Sequence, residues 1–322
     1  MKTVLLTGGT GFVGGCLAES LIRSGVKTRC LVRPRSRYEG LAALGAELVS
    51  GGLDDPEALA KACKGCDTVF HAAGKTKVSR SAEYFHANVD GTARLVRAVE
   101  DAAPDARFVH VSSLAAAGPS KPDAPRTEDE PPEPVSVYGQ SKLAGEEVLR
   151  VSKLRWVIAR PPAVYGPKDT DVFSFFKLAS LGLSPVIGGV ERSLSLIHVS
   201  DLAKGLILCA EAKPGSLYFL ADPTPYPLDA VMACIAGVLG RRLRRVEVPY
   251  AVVAPAAYAS GLWSWLSAKP GIFGPDKLRE LRQAHWTCSA ARACMDLGFS
   301  ADYPLAKGIA HAAAWYQANG WL

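Results

Sequence analysis

The sequence predicts an α/β fold, a doubly wound parallel sheet with a smaller, mostly C-terminal substrate lobe. Two observations support this prediction. Up to Arg160, short apolar and β-branched segments alternate with amphipathic segments, as in sheets covered by helices on both faces. The first apolar segment also breaks into spaced glycines before a helical pattern begins. Ligands of such a sheet are expected at the carboxyl ends of its strands.

The first predicted strand, Thr3 to Thr7, runs into glycines at positions 8, 11 and 14 and then into an amphipathic segment, Phe12 to Ser24. Glycine permits a tight turn and a close approach of the backbone to a pyrophosphate. The helix start presents unpaired N–H groups and the positive end of its dipole, which favour phosphate. The segment therefore predicts a Rossmann dinucleotide-binding turn rather than an ordinary strand-to-helix connection. Its predicted cofactor-binding residues are Gly8, Thr10, Gly11, Phe12, Val13 and Gly14.

The second predicted strand, Lys27 to Val32, leads into a basic turn at the place where the adenosine ribose is expected. An acidic residue there would bind a ribose 2′-hydroxyl and repel a 2′-phosphate. Arg33, Ser36 and Arg37 instead supply hydrogen-bond donors to a phosphate. The sequence therefore favours NADP (NADPH) as cofactor, with NAD as the alternative. A solvated basic turn is the other interpretation of this segment.

The remaining elements follow in order. Further strands are predicted at Ala46 to Ser50, Asp67 to Ala72, Arg107 to Ser112 and Arg155 to Arg160, and helices at Pro56 to Cys63, Ala82 to Ala103 and from near Ser136. Six prolines between Pro119 and Pro134 exclude regular structure and indicate a loop over the site. After this the alternation weakens. We assign 1–165 and 195–222 to a dinucleotide-binding domain, and 166–194 and 223–322 to the substrate lobe.

Three residues form a candidate acid–base unit. Ser113 follows the predicted strand at Arg107 to Ser112, and Tyr138 and Lys142 lie one turn apart on one helix face. A phenol titrates near pH ~10, so a nearby ammonium is expected to lower its pKa towards the working range. Together the three groups would polarise a carbonyl while a nicotinamide donates hydride to its carbon. A tyrosine and a lysine on a solvated helix face are the alternative, which the preceding glycine turn disfavours.

These motifs occur in an order typical of one family. They are Thr7 to Gly14, Val69 to Gly74, Asn88 to Thr92, Val111 to Ser113, Tyr138 to Lys142, Arg160 to Pro167 and Ile197 to Asp201. The chain resembles the extended short-chain dehydrogenase/reductase family, in its epimerase/dehydratase-like branch, over about its first two-thirds. The resemblance implies that Tyr138 is the catalytic acid/base, that Lys142 binds the nicotinamide ribose and tunes Tyr138, that Ser113 orients the substrate and that Asn88 supports the central helix. It further implies cofactor contacts from Leu53, Ala72, Ala73, Lys142, Pro161 and Val164, and a homodimer formed through the helices at 82–103 and 136–151.

Three positions depart from the family pattern. Gly52 stands where members often have an aspartate before the leucine that flanks the adenine, and Asp54 could replace it. Nucleotide-sugar epimerases have an asparagine where this chain has Ala163 and an arginine where it has Leu194, and both groups would hold a substrate diphosphate. Arg192 could compensate for them. The chain is therefore more similar to reductases of apolar ketones, of the 3β-hydroxysteroid dehydrogenase and dihydroflavonol reductase types.

The predicted function is an NADP(H)-dependent oxidoreductase that reduces a ketone, or oxidises a secondary alcohol, on a relatively apolar small molecule. A nucleotide-sugar epimerase or dehydratase that retains NAD is the alternative. A noncatalytic dinucleotide-binding regulator on the same fold is a third hypothesis, which the Ser113, Tyr138 and Lys142 set disfavours.

Composition excludes other classes. The eight cysteines are scattered, no signal peptide is evident and the chain is 48% hydrophobic, so a globular cytoplasmic protein is expected. The net charge is +6, and the basic residues are dispersed apart from the cluster at Arg241 to Arg245. This distribution predicts no nucleic-acid partner. No metal site is expected, because the candidate ligands lack suitable spacing and read as packed side chains. The candidates without a neighbouring ligand at such spacing are His71, His110 and His198, whereas Cys63 and Cys66 match a CxxC spacing that no second pair accompanies. Glu146 and Glu147, which follow the active face of the predicted catalytic helix, are expected to be solvated.

The stretch Pro249 to Ala268 contains no charged residue. Its length would suit a bilayer span, but its prolines, serines and alanines argue for a buried or pocket-lining helix. A sharper hypothesis is that Tyr258, Leu262, Trp263 and Trp265 form an apolar wall of the substrate cleft and rest on a membrane surface. The sequence thus leaves a peripheral membrane contact through 249–268 as a hypothesis.

Overall fold

The structure, a computed structural model, describes residues 1–267 and 274–322. Its strands are β1 (Thr3–Thr7), β2 (Lys27–Val32), β3 (Glu47–Ser50), β4 (Thr68–His71), β5 (Arg107–Val111), β6 (Arg155–Arg160), β7 (Ala163–Tyr165), β8 (Leu183–Ile187), β9 (Ser193–Leu194), β10 (Leu196–His198), β11 (Ser216–Phe219), β12 (Tyr226–Pro227), β13 (Arg244–Val248) and β14 (His285–Trp286). Its α-helices are α1 (Phe12–Arg23), α2 (Glu39–Ala43), α3 (Pro56–Cys63), α4 (Ala82–Phe85), α5 (Gly91–Ala102), α6 (Leu114–Ala117), α7 (Val137–Arg150), α8 (Phe173–Ser180), α9 (Val199–Cys209), α10 (Leu228–Val238), α11 (Tyr250–Ser267), α12 (Pro275–Leu281), α13 (Ala291–Leu297) and α14 (Leu305–Ala318).

A seven-stranded parallel sheet organises the first two-thirds of the chain. Its strand order is β11-β6-β5-β4-β1-β2-β3, so the order reverses at β1, between β4 and β2. In such sheets the crevice beyond the carboxyl ends of the strands at the reversal binds ligands. The predicted fold class, a doubly wound Rossmann sheet, is confirmed, and the predicted strands and helices of this region are present within one or two residues.

Alternation along the strands explains why both faces are covered. Successive residues of β1 point to opposite faces: Leu6 packs with α1 and α9, and Leu5 packs with α3, α5 and α7. Both side chains are fully buried. Because every central strand is buried on two sides, its sequence is almost continuously apolar.

The helix predicted at Ala82 to Ala103 is a continuous helical segment that consists of α4, a π-helical turn and α5. A π-helical turn, His86–Asp90, joins α4 to α5. The turn buries the Asn88 side chain. Such π turns are rare, and those that are found are frequently at functional sites. This one lies against α7, the helix that carries Tyr138 and Lys142.

A second apolar cluster lies in the segments assigned to the substrate lobe. Helices α8, α10 and α14 pack through Phe176, Ile235, Ile309 and Tyr316. A small sheet of strand order β12-β9-β14 lies in the same segments. In this sheet β9 pairs with β14, which follows it by 92 residues. The lobe boundaries at 166–194 and 223–322 stay a prediction.

The apolar stretch at 249–268 forms α11, and only its inner side is covered. Val253 and Ala257 pack against Leu278 of α12. Leu262 and Trp263 are exposed, the latter by 72%, so α11 is not a fully buried helix, and its role in lining a pocket stays a prediction. The side chain of Trp265 and the whole of Ala268 lie outside the described residues. No helix in the described part of the chain is long and apolar enough to span a bilayer.

Candidate active site

The glycine turn after β1 brings two strand ends into contact. Gly8 has a φ of +79°, and a Cβ there would lie 2.6 Å from the Ala72 carbonyl carbon and the Ala73 nitrogen. A Cβ on Gly14 would overlap the carbonyl oxygen of Gly8. Gly11 is the N-cap of α1 and provides no side-chain acceptor, so no capping side chain occupies the first amides of this helix. The turn therefore fits a dinucleotide pyrophosphate. Glycine leaves room where a side chain would overlap the backbone, and the first backbone amides of α1 stay available as hydrogen-bond donors.

The other predicted cofactor-binding residues lie around the same edge of the sheet. Thr10 is exposed beside the turn, with Phe12 and Val13 half-buried at the start of α1. Beyond β2, Arg33 and Arg37 are exposed and Ser36 is half-buried, its amide donating to the Arg33 carbonyl at 2.9 Å. Leu53 follows β3 and lies against Gly91, and the Ala72 amide donates to the Thr7 carbonyl at 3.2 Å. Pro161 and Val164 follow β6, where the Pro161 carbonyl accepts the Leu114 amide at 2.8 Å.

Ser113 and Tyr138 are brought together by close packing of α6 on α7. Ser113 is the N-cap of α6, and its hydroxyl accepts the Ala115 amide at 3.1 Å. Gly139 directly follows Tyr138, and a Cβ there would overlap the Ala115 carbonyl oxygen. A glycine at this position therefore lets the turn that carries Tyr138 lie on the turn that carries Ser113.

Burial raises the pKa of Tyr138 to about 12. A hydrogen bond with Ser113 opposes this shift, and the negative charges of Glu280 and Asp171 add to it. The lowering expected from the Lys142 ammonium is therefore not found in the protein chain itself, where burial dominates. At neutral pH Tyr138 is protonated, which is the form that can donate a proton to a carbonyl oxygen.

Lys142 is buried one turn after Tyr138. Its ammonium donates to the Val111 carbonyl oxygen at 2.8 Å, at the carboxyl end of β5. Burial lowers the pKa of Lys142 to about 8, and the negative charge of Glu146 opposes this shift. The Lys142 amine is thus held at the carboxyl end of β5, by a residue that precedes Ser113 by two positions in the sequence.

Asn88 links the π turn to α7, as the resemblance implied for the central helix. Its amide nitrogen donates to the Ser141 hydroxyl at 2.9 Å and to the Lys75 carbonyl at 3.2 Å. Its amide oxygen accepts the Lys75 amide at 2.9 Å. The loop after β4, the π turn and α7 are therefore fixed relative to one another by a single buried side chain.

The expectation that Glu146 is solvated is wrong. Glu146 is fully buried under the site and forms two hydrogen bonds with the Arg160 guanidinium, at 2.8 and 2.7 Å. Its carboxylate also accepts the Ser112 hydroxyl at 2.5 Å. Glu146 follows Lys142 by four residues, on the face that carries Tyr138, so this spacing could have indicated a buried partner. Glu147, the next residue, is exposed as expected.

The candidate histidines are packed in the protein interior. His71 contacts the Thr7 hydroxyl at 2.7 Å and the Thr92 hydroxyl at 3.0 Å, and burial lowers its pKa to about 3. His110 is buried with neither ring nitrogen paired, and His198 contacts His311 at 3.2 Å. Within residues 1–267 and 274–322, no three His, Cys, Asp or Glu side chains converge as metal ligands would.

Arg192 is occupied by structural contacts. Its guanidinium donates to the carbonyls of Ile187 and Val190, at 2.8 and 3.0 Å, and to the Leu281 carbonyl and the Tyr250 hydroxyl, at 3.0 and 3.2 Å. These bonds tie β8 to α11 and α12. Four of the five guanidinium N–H groups of Arg192 are used in this way, and Nε is buried without a hydrogen-bond partner among the described residues, which disfavours Arg192 as a substitute for the missing diphosphate-binding groups.

The comparisons with known proteins agree with this arrangement. The profile of the NAD dependent epimerase/dehydratase family matches residues 4–220. A ceramide reductase of Caulobacter vibrioides is 34% identical over 99% of this chain and 96% of its own, and a 3-beta-hydroxysteroid dehydrogenase of Mycolicibacterium neoaurum is 28% identical over 97% and 91%. The crystal structure of gox2253 superposes with a TM-score of 0.83 over 99% of both chains at 27% identity.

The Rossmann sheet and its glycine turn, together with the family match and the reductase and dehydrogenase relatives, identify an NAD(P)-dependent oxidoreductase that binds a nicotinamide dinucleotide and acts on a small molecule. More narrowly, the chain belongs to the NAD-dependent epimerase/dehydratase family, a branch of the extended short-chain dehydrogenases/reductases. A UDP-glucose 4-epimerase of Thermotoga maritima has the same fold, with a TM-score of 0.80 at 19% identity over 98% of this chain and 99% of its own.

Proposed function

We propose that this protein is an NADP(H)-dependent reductase of a ketone, or dehydrogenase of the matching secondary alcohol, on a relatively apolar small molecule. The observation that carries the proposal is the position of Tyr138. Its protonated phenol lies beside Ser113, one turn before Lys142, at the edge of the sheet where the glycine turn opens. This arrangement serves proton transfer to or from an oxygen next to a bound nicotinamide.

Each of the three side chains has a separate task. A bound nicotinamide supplies or accepts the hydride. Ser113 donates a hydrogen bond that orients the carbonyl oxygen of the substrate, and Tyr138 donates the proton that this oxygen gains on reduction. Lys142 binds the nicotinamide ribose, and its positive charge favours the phenolate that Tyr138 becomes. Gly8, Gly11 and Gly14 hold the pyrophosphate.

The basic turn after β2 supports NADP(H) as the cofactor. Arg33 and Arg37 are exposed and therefore free of the desolvation cost that a buried cation would have. They follow the strand next to the glycine turn, on the side where the adenosine ribose of a dinucleotide lies in this fold. A guanidinium is planar and can bind a phosphate through two parallel hydrogen bonds.

Exchange of Arg33 for aspartate is expected to weaken NADPH binding by ~10–100-fold, with little change for NADH. The reason is the loss of one charge-assisted hydrogen bond, worth ~1.5–3 kcal/mol, and the addition of a repelling charge. Titration of both cofactors by fluorescence measures the two dissociation constants. Arg35→Asp, an exposed arginine of the same turn, is the matched control. An equal loss for both cofactors would show that Arg33 has no contact with a 2′-phosphate.

An apolar substrate is supported by the residues at the two positions where nucleotide-sugar epimerases bind the substrate diphosphate. Ala163 and Leu194 have no hydrogen-bonding side chain, and Arg192 is already bonded to four acceptors. The relatives named ceramide reductase and 3-beta-hydroxysteroid dehydrogenase indicate lipid-like substrates for those proteins. Ketones on long-chain or polycyclic lipids are therefore the class to test first.

The exposed side of α11 supports a peripheral membrane contact. Val252, Tyr258, Leu262, Trp263 and Leu266 are each at least 59% exposed. A row of large apolar side chains in solvent is unusual for a protein surface and suits an interfacial helix. We propose that this side of α11 rests on a membrane from which the substrate is taken.

Trp263→Asp is expected to raise the KM for a lipid ketone presented in vesicles by ~10–100-fold, because ~1.5–3 kcal/mol of interfacial burial is lost. Trp263 is 72% exposed, so the fold is expected to tolerate the change. NADPH affinity should stay constant. Met295→Asp, an equally exposed apolar residue of α13, is the control. A normal KM in the Trp263 variant would remove the main support for the membrane contact.

One assay separates the proposed function from its alternative. Purified protein is given NADPH and a lipid ketone, and the loss of NADPH absorbance is compared with the alcohol formed. Equal amounts would support the reductase. Protein that carries tightly bound NAD and acts on a nucleotide sugar without added cofactor would instead identify an epimerase or dehydratase. A homodimer through the helices at 82–103 and 136–151 and a cytoplasmic location stay proposals.

A further inference from the structure

Two carboxylates of α12 contact the first turn of α7. Asp276 accepts hydrogen bonds from the backbone amides of Val137, at 2.7 Å, and Tyr138, at 3.1 Å. Glu280, one turn further along α12, accepts a hydrogen bond from the Ser136 hydroxyl at 2.8 Å. Asp276 thus contacts the backbone of the candidate catalytic tyrosine, from which it is separated by 138 positions in the chain.

The first turn of α7 requires such partners. The first amides of any helix lack acceptors within the helix. Ser136 is the N-cap, and within residues 1–267 and 274–322 its hydroxyl accepts the Gly139 amide, at 3.0 Å, and no other amide of this turn. Asp276 accepts the amides of Val137 and Tyr138, and its negative charge also stabilises the positive end of the helix dipole. Without Asp276 two amides of this turn would lose their protein acceptors.

Helix α12 is itself fixed against α11. A Cβ on Gly261 of α11 would lie 2.6 Å from Cδ of Pro275, so the two helices touch at backbone distance. Leu278 fills the space between α12 and the inner side of α11. Helix α12 therefore connects the exposed helix α11 to the turn that carries Tyr138.

We propose that Asp276 is a positioning residue for Tyr138, assisted by Glu280 through Ser136. Contact with α12 fixes the turn from which the phenol projects and so sets its place relative to Ser113 and Lys142. Asp276 acts through the backbone amides and touches neither substrate nor cofactor. This inference rests on the role proposed above for Tyr138.

The test uses Asp276→Asn, which keeps the size of the side chain but removes the charge and one acceptor oxygen. We expect kcat to fall by on the order of tenfold or more, because small displacements of a catalytic group are costly. The KM and the dissociation constant of NADPH should stay unchanged, because Lys142, the cofactor residue on α7, lies one turn beyond the two amides and is held separately by the Val111 carbonyl oxygen. Hydrogen–deuterium exchange should become faster in residues 136–140 and not in the central strands. Glu247→Gln, an exposed acid in the same part of the chain, is the matched control.

Hydrogen exchange needs no turnover, so it separates this inference from the proposed function. Failure of the unaltered protein to reduce any ketone would contradict the function and leave the exchange result to decide the role of Asp276. Unchanged exchange in 136–140 would overturn the inference. A parallel loss of kcat and NADPH affinity would also overturn it, since Asp276 would then be a general stability residue. If Asp276→Asn does not fold, Glu280→Gln is measured in the same way, and unchanged exchange and kcat in that variant overturn the inference.

Discussion

Replacement of Tyr138 by phenylalanine is expected to lower kcat by ~10²–10⁴-fold, the range that a lost general acid or base usually costs. The change removes only the phenolic oxygen, which is the proton donor in the proposed reaction. The ring keeps its packing against Tyr84, whose ring centre is 5.7 Å away. Steady-state kinetics with NADPH and a lipid ketone measures the loss, and cofactor titration should give an unchanged dissociation constant.

Tyr84→Phe is the matched control for this experiment. The Tyr84 hydroxyl donates to the Thr76 carbonyl at 3.2 Å and lies outside the set formed by Ser113, Tyr138 and Lys142. Its removal should leave kcat within a few-fold of normal, since a single neutral hydrogen bond contributes ~1 kcal/mol. A Tyr138→Phe enzyme as active as the Tyr84→Phe enzyme would rule out the proposed proton donor.

Arg160→Leu is expected to destabilise the protein by ~3–5 kcal/mol, because the buried Glu146 carboxylate loses both hydrogen bonds to its main cation and keeps only the more distant, partly exposed Arg150 at 3.7 Å. Glu146 is 0% exposed and Arg160 2% exposed, and their two hydrogen bonds are short and parallel. Urea unfolding gives the free energy. The double variant with Glu146→Leu should recover part of the loss, because the unpaired charge is then removed as well.

The exposed pair formed by Arg245 and Asp229 provides the comparison. Both side chains are about half exposed, with a separation of 3.1 Å. Arg245→Leu should cost less than ~1 kcal/mol, as exposed ion pairs do. If Arg160→Leu cost no more than Arg245→Leu, the buried pair would contribute nothing specific to the support of α7.

The order of strands and helices could be predicted because it depends on local patterns. Apolar runs such as Leu5 and Leu6 in β1, and the helical repeat of α1, depend on neighbours a few residues away. The cap of α3 is a similar case, since Asp55 accepts the amide of Ala58 three residues on. The π turn could not be predicted, because it requires packing against α7 rather than a different local pattern.

The electrostatics of the site could be predicted only in part. The spacing of Tyr138 and Lys142 is visible in the sequence, but the raised pKa of Tyr138 results from burial, which depends on the whole fold. Glu146 was expected to be solvated because its main partner Arg160 lies on β6, outside the helix that carries its local cations Lys142 and Arg150. Asp276 could not be connected to Tyr138 from the sequence, since no local spacing links residues so far apart.

The pairing of β9 with both β12 and β14 has a consequence for the order in which the chain folds. During synthesis the seven-stranded sheet is complete once β11 has emerged, whereas β9 gains its second neighbour only when His285 and Trp286 are made. Pairing across such a separation is slow, because the intervening loop loses entropy before any contact forms. The seven-stranded sheet with its glycine turn is therefore expected to form first on the ribosome. The three-stranded sheet β12-β9-β14 is completed last, and its strands are the part of the nascent chain that a chaperone would need to shield from aggregation.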